Sequence, residues 1–157
     1  MQKSSKRGAF TLIELMLVTV IIVVLVILST PLFTRTYEDL KLTTAAREMA
    51  AVIRFCHERA IFEKRHYRLV INLKEGYYRV YIENPEGEGM VPLRGRWGRR
   101  FRLPVSAKFE TEIERIDCLP DGYMTQSSIR INTAKGNSRT ILTEEATGLV
   151  KVYDHTE

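Results

Sequence analysis

The sequence predicts an α+β fold: a long N-terminal helix packed against antiparallel β-sheet. Three observations carry this. From Phe10 to Leu28 only Thr11, Glu14 and Thr19 are polar. After Pro31 the pattern turns amphipathic with a helical period, and it holds to about Lys64. From His66 onward, apolar and polar residues alternate in short runs separated by Gly, Pro, Asn and Asp, the signature of strands and turns. Helix first and strands afterwards, with no internal repeat, is the order of an α+β domain.

The apolar run is long enough to span a bilayer, which needs about 20 residues. Its Leu, Ile and Val residues number fourteen. At about −0.3 to −0.6 kcal/mol each they favour insertion by about 4–8 kcal/mol, whereas one acid costs about 2.5–3.5 kcal/mol at the centre and less near an end. The aliphatic sum wins despite Glu14. Although β-branched residues abound, a lone strand in lipid would leave its amides unpaired, so the run reads as helix. Lys3, Lys6 and Arg7 precede it. Positive charge stays inside, which puts the N-terminus in the cytoplasm and residues 32–157 across the membrane. The run is longer than the core of a secretory signal, and LSTPLFTRT after it is a poor cleavage site.

Beyond Pro31, where a kink or local interruption is expected, Leu42, Ala46, Met49, Ile53, Cys56 and Ala60 recur at steps of four and three and form one helical face. From Phe10 to about Lys64 such a helix would measure roughly 80 Å at about 1.5 Å per residue. HYRLVINL and YYRVYI, joined through Gly76, read as a hairpin. Residues 83–100 read as a long loop. Strands are expected at about 101–106 and 108–117, then a turn at Pro120-Asp121-Gly122, a second hairpin through SSIRIN and SRTILT, and a last strand LVKVY.

The net charge of +5 says little about partners. Without Lys3, Lys6 and Arg7, Lys+Arg falls from 24 to 21 against 19 acids. Two cysteines, Cys56 and Cys118, exclude a disulfide-dense scaffold; they fit one disulfide in an oxidising compartment, or two buried free thiols. Cys56 and His57 adjoin, but neighbours on a helix point about 100° apart, so they form no nucleophile–base pair. His57, His66 and His155 lack metal spacing, and Glu83, Glu86 and Glu88 lack an EF-hand pattern. No Ser/His/Asp order, Walker loop or GxGxxG occurs, so the chain reads as a non-enzyme without cofactor or metal.

KRGAFTLIELMLV resembles the N-terminal signature of type IV pilins and of the pseudopilins of type II secretion. The resemblance implies that a prepilin peptidase cuts between Ala9 and Phe10 and that the new amine of Phe10 is methylated. Glu14 and Pro31 then take the family's places for the assembly glutamate and the helix-bending proline. The residue before the cut is usually glycine. Here it is Ala9, with Gly8 one step earlier, and cutting after Gly8 would misplace both Glu14 and Pro31. AAREMAAVIRFCHERAIFEKRHYRLVINLKEGYYRV, CLPDGYMTQSSIRI and TGLVKV resemble the GspH/FimT subgroup of minor pilin-like proteins; residues 84–100 are unmatched. The implied organisation is a leader at 1–9, a transmembrane segment at 10–31 and a periplasmic pilin-like domain at 32–157. The implied partners are other pilins or pseudopilins in a filament, the prepilin peptidase, an assembly platform in the inner membrane and a cytoplasmic ATPase.

This gives Glu14 a physical reason. A carboxylate in hydrocarbon is costly and is usually paired. The terminal ammonium that cleavage creates on a neighbouring subunit is its natural partner; snorkelling to the headgroups is the alternative. One further constellation stands out. Arg94, Arg96, Arg99, Arg100 and Arg102 surround Trp97 and Phe101. Such a loop suits a neighbouring subunit's acids, an exported substrate, or the backbone and bases of DNA.

Overall fold

The structure, a computed structural model, describes residues 11–134 and 136–155, with the side chains of 28–36 and 155 left aside. Gly8, Ala9 and Phe10, and the side chain of Pro31, therefore lie outside the described residues. The chain forms two compact units, residues 1–37 and 38–157.

Helix α1 runs from Leu12 to Glu63. Thr11 precedes it, and its hydroxyl accepts the Glu14 N–H at 3.4 Å. Thr-x-x-Glu is the spacing of a capping box, in which the acid also suits the positive end of the helix dipole. Within the first unit every described apolar side chain from Leu12 to Ile27 is exposed. Thr19 donates its hydroxyl to the Leu15 carbonyl at 2.7 Å, so its polarity is satisfied by the helix itself. Among the described residues no helix is long and apolar enough to cross a membrane; the expected span, 10–31, extends past the described side chains at both ends.

In the second unit the expected helical face is the core. Leu42, Ala46, Met49, Ile53, Cys56 and Ala60 are all buried, joined by Ala50 and Val52. Strands β1 (Tyr67–Asn72) and β2 (Tyr77–Glu83) form the expected hairpin, with Gly76 at φ 63° in its turn. The same sheet holds β3 (Met90–Pro92) and β4 (Phe101–Arg102), both paired with β2, and β6 (Arg115–Cys118), paired with β1. A second sheet has the order β5 (Ala107–Glu110), β7 (Ser127–Thr133), β8 (Ser138–Thr143), β9 (Val150–His155). All pairings are antiparallel. Leu69, Ile71 and Val80 from one sheet and Ile129, Ile131 and Ile141 from the other share the core with the helix.

Two expectations are corrected. Residues 108–117 are not one strand: β5 belongs to one sheet and β6 to the other, with 111–114 crossing between them. The Thr111 hydroxyl accepts the Ile113 N–H at 3.1 Å and turns the chain, and the apolar positions shift across the crossover from 107, 109 and 113 to 116 and 118. The 83–100 loop also contains β3 and a short 3-10 turn, Arg96–Gly98.

The turn motifs meet at one side chain. His57 Nε2 lies 2.8 Å from the Gly122 carbonyl. A Cβ on Gly148 would sit 2.1 Å from the His57 ring. The PDG turn and the TG turn thus form a slot for a helix imidazole, and beside it Arg54 donates to the Val150 carbonyl at 2.7 Å.

Cys56 and Cys118 are buried free thiols. Burial, then the nearby Cys118 sulfur, pushes the Cys56 thiol well up, and burial, then Asp117, pushes Cys118 up to about 12. The thiolate is the reactive form. At about pH 8, iodoacetamide is therefore expected to leave both cysteines of the folded protein untouched and to label both in urea, counted by mass spectrometry. Both groups bind their protons more tightly when folded, so their contribution to stability is present below the ordinary thiol value of 9.0 and is lost as pH rises above it.

Candidate functional site

The arginine-rich loop packs onto the fold through its aromatic residue. Trp97 stacks on Phe55 of α1, ring centroids 4.7 Å apart and planes 12° from parallel. The Arg96 guanidinium lies 5.8 Å from the other ring partner's centroid, that of Trp97 itself. Gly98, buried, closes the 3-10 turn through its N–H to the Gly95 carbonyl at 3.1 Å, and its own carbonyl accepts Arg79 Nε at 2.9 Å. Arg99 reaches back to Glu48 of the helix at 2.8 Å and lies 4.7 Å from the Phe101 ring. The loop is held by a ring stack, a backbone acceptor and an ion pair to the helix.

A Cβ on Gly98 would fall 1.7 Å from the Leu93 carbonyl oxygen. The oxygen is backbone and a Cβ is fixed rigidly by its Cα, so neither can swing aside. Gly98→Ala is expected to cost about 3 kcal/mol through overpacking and to detach Trp97 from Phe55. Trp97 is the chain's only tryptophan, so a red shift of its emission checks this directly.

Around the loop lies an open groove of about 1140 Å³. Arg94, Arg96, Trp97 and Arg99 line it, as the sequence suggested; Arg100 and Arg102 do not. Arg100 sits over the Tyr77 ring at 5.0 Å. The fold adds Arg59, Arg65 and Arg79, which are distant in sequence. The helical spacing of Phe55 and Arg59, whose guanidinium lies 5.6 Å from the Phe55 ring, was the one signal in the sequence for this contribution. Most of these cations are occupied. Arg59 pairs with Glu63 at 2.7 Å, Arg79 with the Gly98 carbonyl, Arg99 with Glu48, and Arg65 with the Glu83 carbonyl. Arg94 and Arg96 are exposed, and no acid among the described residues pairs with either.

Two further charged clusters hold structure. His66 Nε2 and Arg68 Nε both meet Asp117 Oδ1, at 2.7 and 2.5 Å. Arg139, buried, bonds Asp39 at 2.7 Å and Asp154 at 2.8 Å. Among the described residues no group of three or more His, Cys, Asp or Glu is placed to hold a metal ion. The Glu14 side chain is exposed near the start of α1.

No family model and no curated protein matches this sequence. Solved structures do. The minor pseudopilin EpsH from the type 2 secretion system of Vibrio cholerae superposes with a TM-score of 0.63 at 12% identity, covering 74% of this chain and 99% of that one. A second structure of that protein gives 0.62 at 11% identity, over 74% and 96%. The type IV minor pilin FimU of Pseudomonas aeruginosa gives 0.57 at 15% identity, over 74% and 90%. At these identities the likeness concerns architecture: the chain has the pilin-like α+β fold of minor pseudopilins and minor pilins.

Proposed function

We propose that this chain is a minor building block of a pilus-like filament, either a type II secretion pseudopilus or a related pilus. The observation that carries the reading is a pilin-like fold joined to an exposed aliphatic helix with a carboxylate in its first turn. Exposed apolar side chains on this scale need lipid or other subunits to cover them. Both covers are used in turn: the helix first spans the inner membrane, with the N-terminus cytoplasmic and the second unit periplasmic, and then packs among other helices in the filament core. Prepilin peptidase removes residues 1–9, the Phe10 amine is methylated, and Glu14 of one subunit meets that ammonium on its neighbour. A membrane platform and a cytoplasmic ATPase drive assembly. No catalytic step is assigned to the chain.

DNA uptake through the arginine loop is the weaker reading. Base stacking needs a free aromatic face, and one of the two faces of Trp97 is taken by Phe55. Phosphate binding needs unpaired cations, and most arginines of the groove already have partners.

Mass spectrometry of the mature N-terminus tests the proposal. A methylated Phe10 is expected; an intact Met1, or a cut after Thr30, overturns it. Glu14→Leu is expected to keep membrane insertion and to lower incorporation into filaments by about tenfold or more, the scale of losing one buried charge pair. Incorporation equal to that of the parent chain would remove the pairing role.

A further inference from the structure

The first sheet has a second face, turned away from the core. Burial alternates along β1, β2, β4 and β6, so the buried residues face the core and those between them face outward. The strand register fixes which outward side chains are neighbours. Tyr77 lies between Asn72 and Arg102, Val70 between Arg79 and Arg115, and Arg68 between Tyr81 and Asp117.

Charge is distributed unevenly over this face. Asp117 is neutralised by Arg68 and His66, and Glu83 lies at the end of β2, where its Oε2 accepts the His66 N–H at 3.3 Å. Toward the turn between β1 and β2 the balance changes. Arg79, Arg102 and Arg115 gather there with Arg100, which lies over the Tyr77 ring at 5.0 Å. No acid among the described residues forms an ion pair with any of the four. Glu114 lines a shallow hollow of about 350 Å³ with Val70, Tyr77 and Arg79, and Lys74 and Glu75 in the turn offset each other. Four cations thus stand against one anion.

Arginine and tyrosine are the residues that interface centres favour. A guanidinium lies over a face of each ring, Arg100 on Tyr77 and Arg79 on Tyr81 at 6.0 Å. A nucleobase would have to displace it to stack there, whereas the N–H edges that ring stacking leaves open suit carboxylates. The sheet also sets a spacing. β4, β2, β1 and β6 are neighbours in that order, so three strand steps of about 4.8 Å put Arg102 and Arg115 about 14 Å apart with Arg79 between them. Side chains on one face of an extended segment repeat at about 6.7 Å, so three acids at alternate positions cover about 13 Å. We infer that the outward face formed by Tyr77, Arg79, Arg102 and Arg115 binds an extended segment of another kind of filament subunit, one that carries carboxylates at alternate positions. The inference rests on the reading of this chain as a minor filament component, whose neighbours are subunits of other kinds, and it adds the surface and the charge of one such contact. It also parts Arg100 and Arg102 from Arg94 and Arg96, which are close in sequence but serve a different surface.

The test uses the full chain in detergent and a fluorescein-labelled peptide, SESESES, followed by anisotropy. Saturable binding is expected at low salt, weakened about tenfold or more by about 0.5 M salt and by Arg102→Ala with Arg115→Ala. Arg94→Ala with Arg96→Ala removes the same charge from the other surface and should change binding by less than about twofold. The peptide SQSQSQS, with the same label, should not bind. In cells, Arg102→Glu with Arg115→Glu should leave the level of the chain in the membrane unchanged and lower its incorporation into filaments about tenfold or more. No saturable binding, equal weakening by the two alanine pairs, binding of the glutamine peptide, tighter binding of a single-stranded oligonucleotide of equal charge, or incorporation equal to that of the parent chain would each overturn the inference. The peptide measurements need no filament, and the Phe10 and Glu14 experiments do not involve this face, so failure of the inference and failure of the filament reading are told apart.

Discussion

Gly148→Ala is expected to lose about 4 kcal/mol of folding stability, the sum of a backbone cost of about 1–2 kcal/mol and an overpacking cost of about 2–3 kcal/mol. Gly148 has φ 62°, in the left-handed region where a Cβ crowds the following carbonyl. Its added Cβ would also lie 2.1, 2.2 and 2.7 Å from Cε1, Nε2 and Nδ1 of His57. The ring has little freedom to retreat. Its Nε2 is tied to the Gly122 carbonyl at 2.8 Å, and its neighbour on the helix, Cys56, is buried in the core. The two causes can be separated. In a His57→Ala background the clash disappears and only the backbone cost of about 1–2 kcal/mol remains, so the double-mutant cycle should show a coupling of about 2–3 kcal/mol. Urea denaturation of the four proteins measures it. A Gly148→Ala cost that is the same with and without the imidazole would mean that the slot does not constrain the ring.

This site illustrates what the sequence discloses. Asp121-Gly122 and Thr147-Gly148 are legible as turns, because turn chemistry is local. That both turns converge on His57 is not legible, since the convergence is made by strands far apart in the chain. The same division runs through the fold. The helical face from Leu42 to Ala60 is readable because burial repeats with the helix period, and the two hairpins because glycine and alternation mark them. The assignment of strands to two sheets is unreadable around Thr111, because it is set by pairing with strands far away in the chain, β5 with β7 and β6 with β1. In the candidate groove, Arg94, Arg96, Trp97 and Arg99 are neighbours in sequence and could be seen together, whereas Arg59, Arg65 and Arg79 arrive only through packing.

Arg139 is the case in which the local pattern misleads. Along β8 it alternates with Ile141 and Thr143 and faces inward with them, a place where an arginine looks out of register. The fold makes it tolerable by bringing two acids to it. Its side chain is 5% exposed, while Asp39 and Asp154 are 39% and 65% exposed. Further bonds run to the Thr43 hydroxyl at 3.3 Å and the Ser138 carbonyl at 2.9 Å. The buried guanidinium thereby ties Asp39 and Thr43 of α1 to Asp154 of the last strand. The burial is asymmetric, and this sets the prediction. Either acid alone can neutralise the cation, so Asp39→Asn and Asp154→Asn are each expected to cost about 1 kcal/mol, the scale of one partly exposed ion pair. Removing both leaves a desolvated charge without a counter-ion, for which the cost is about 3–5 kcal/mol. The double variant should therefore lose at least about 1 kcal/mol more than the two single variants together. Arg139→Met, which removes the charge and keeps most of the packing, should cost less than the double variant, because both acids can then turn toward water. Strict additivity of the two asparagine substitutions in urea denaturation would show that the guanidinium does not depend on a shared counter-ion and that the tie between helix and final strand lies elsewhere.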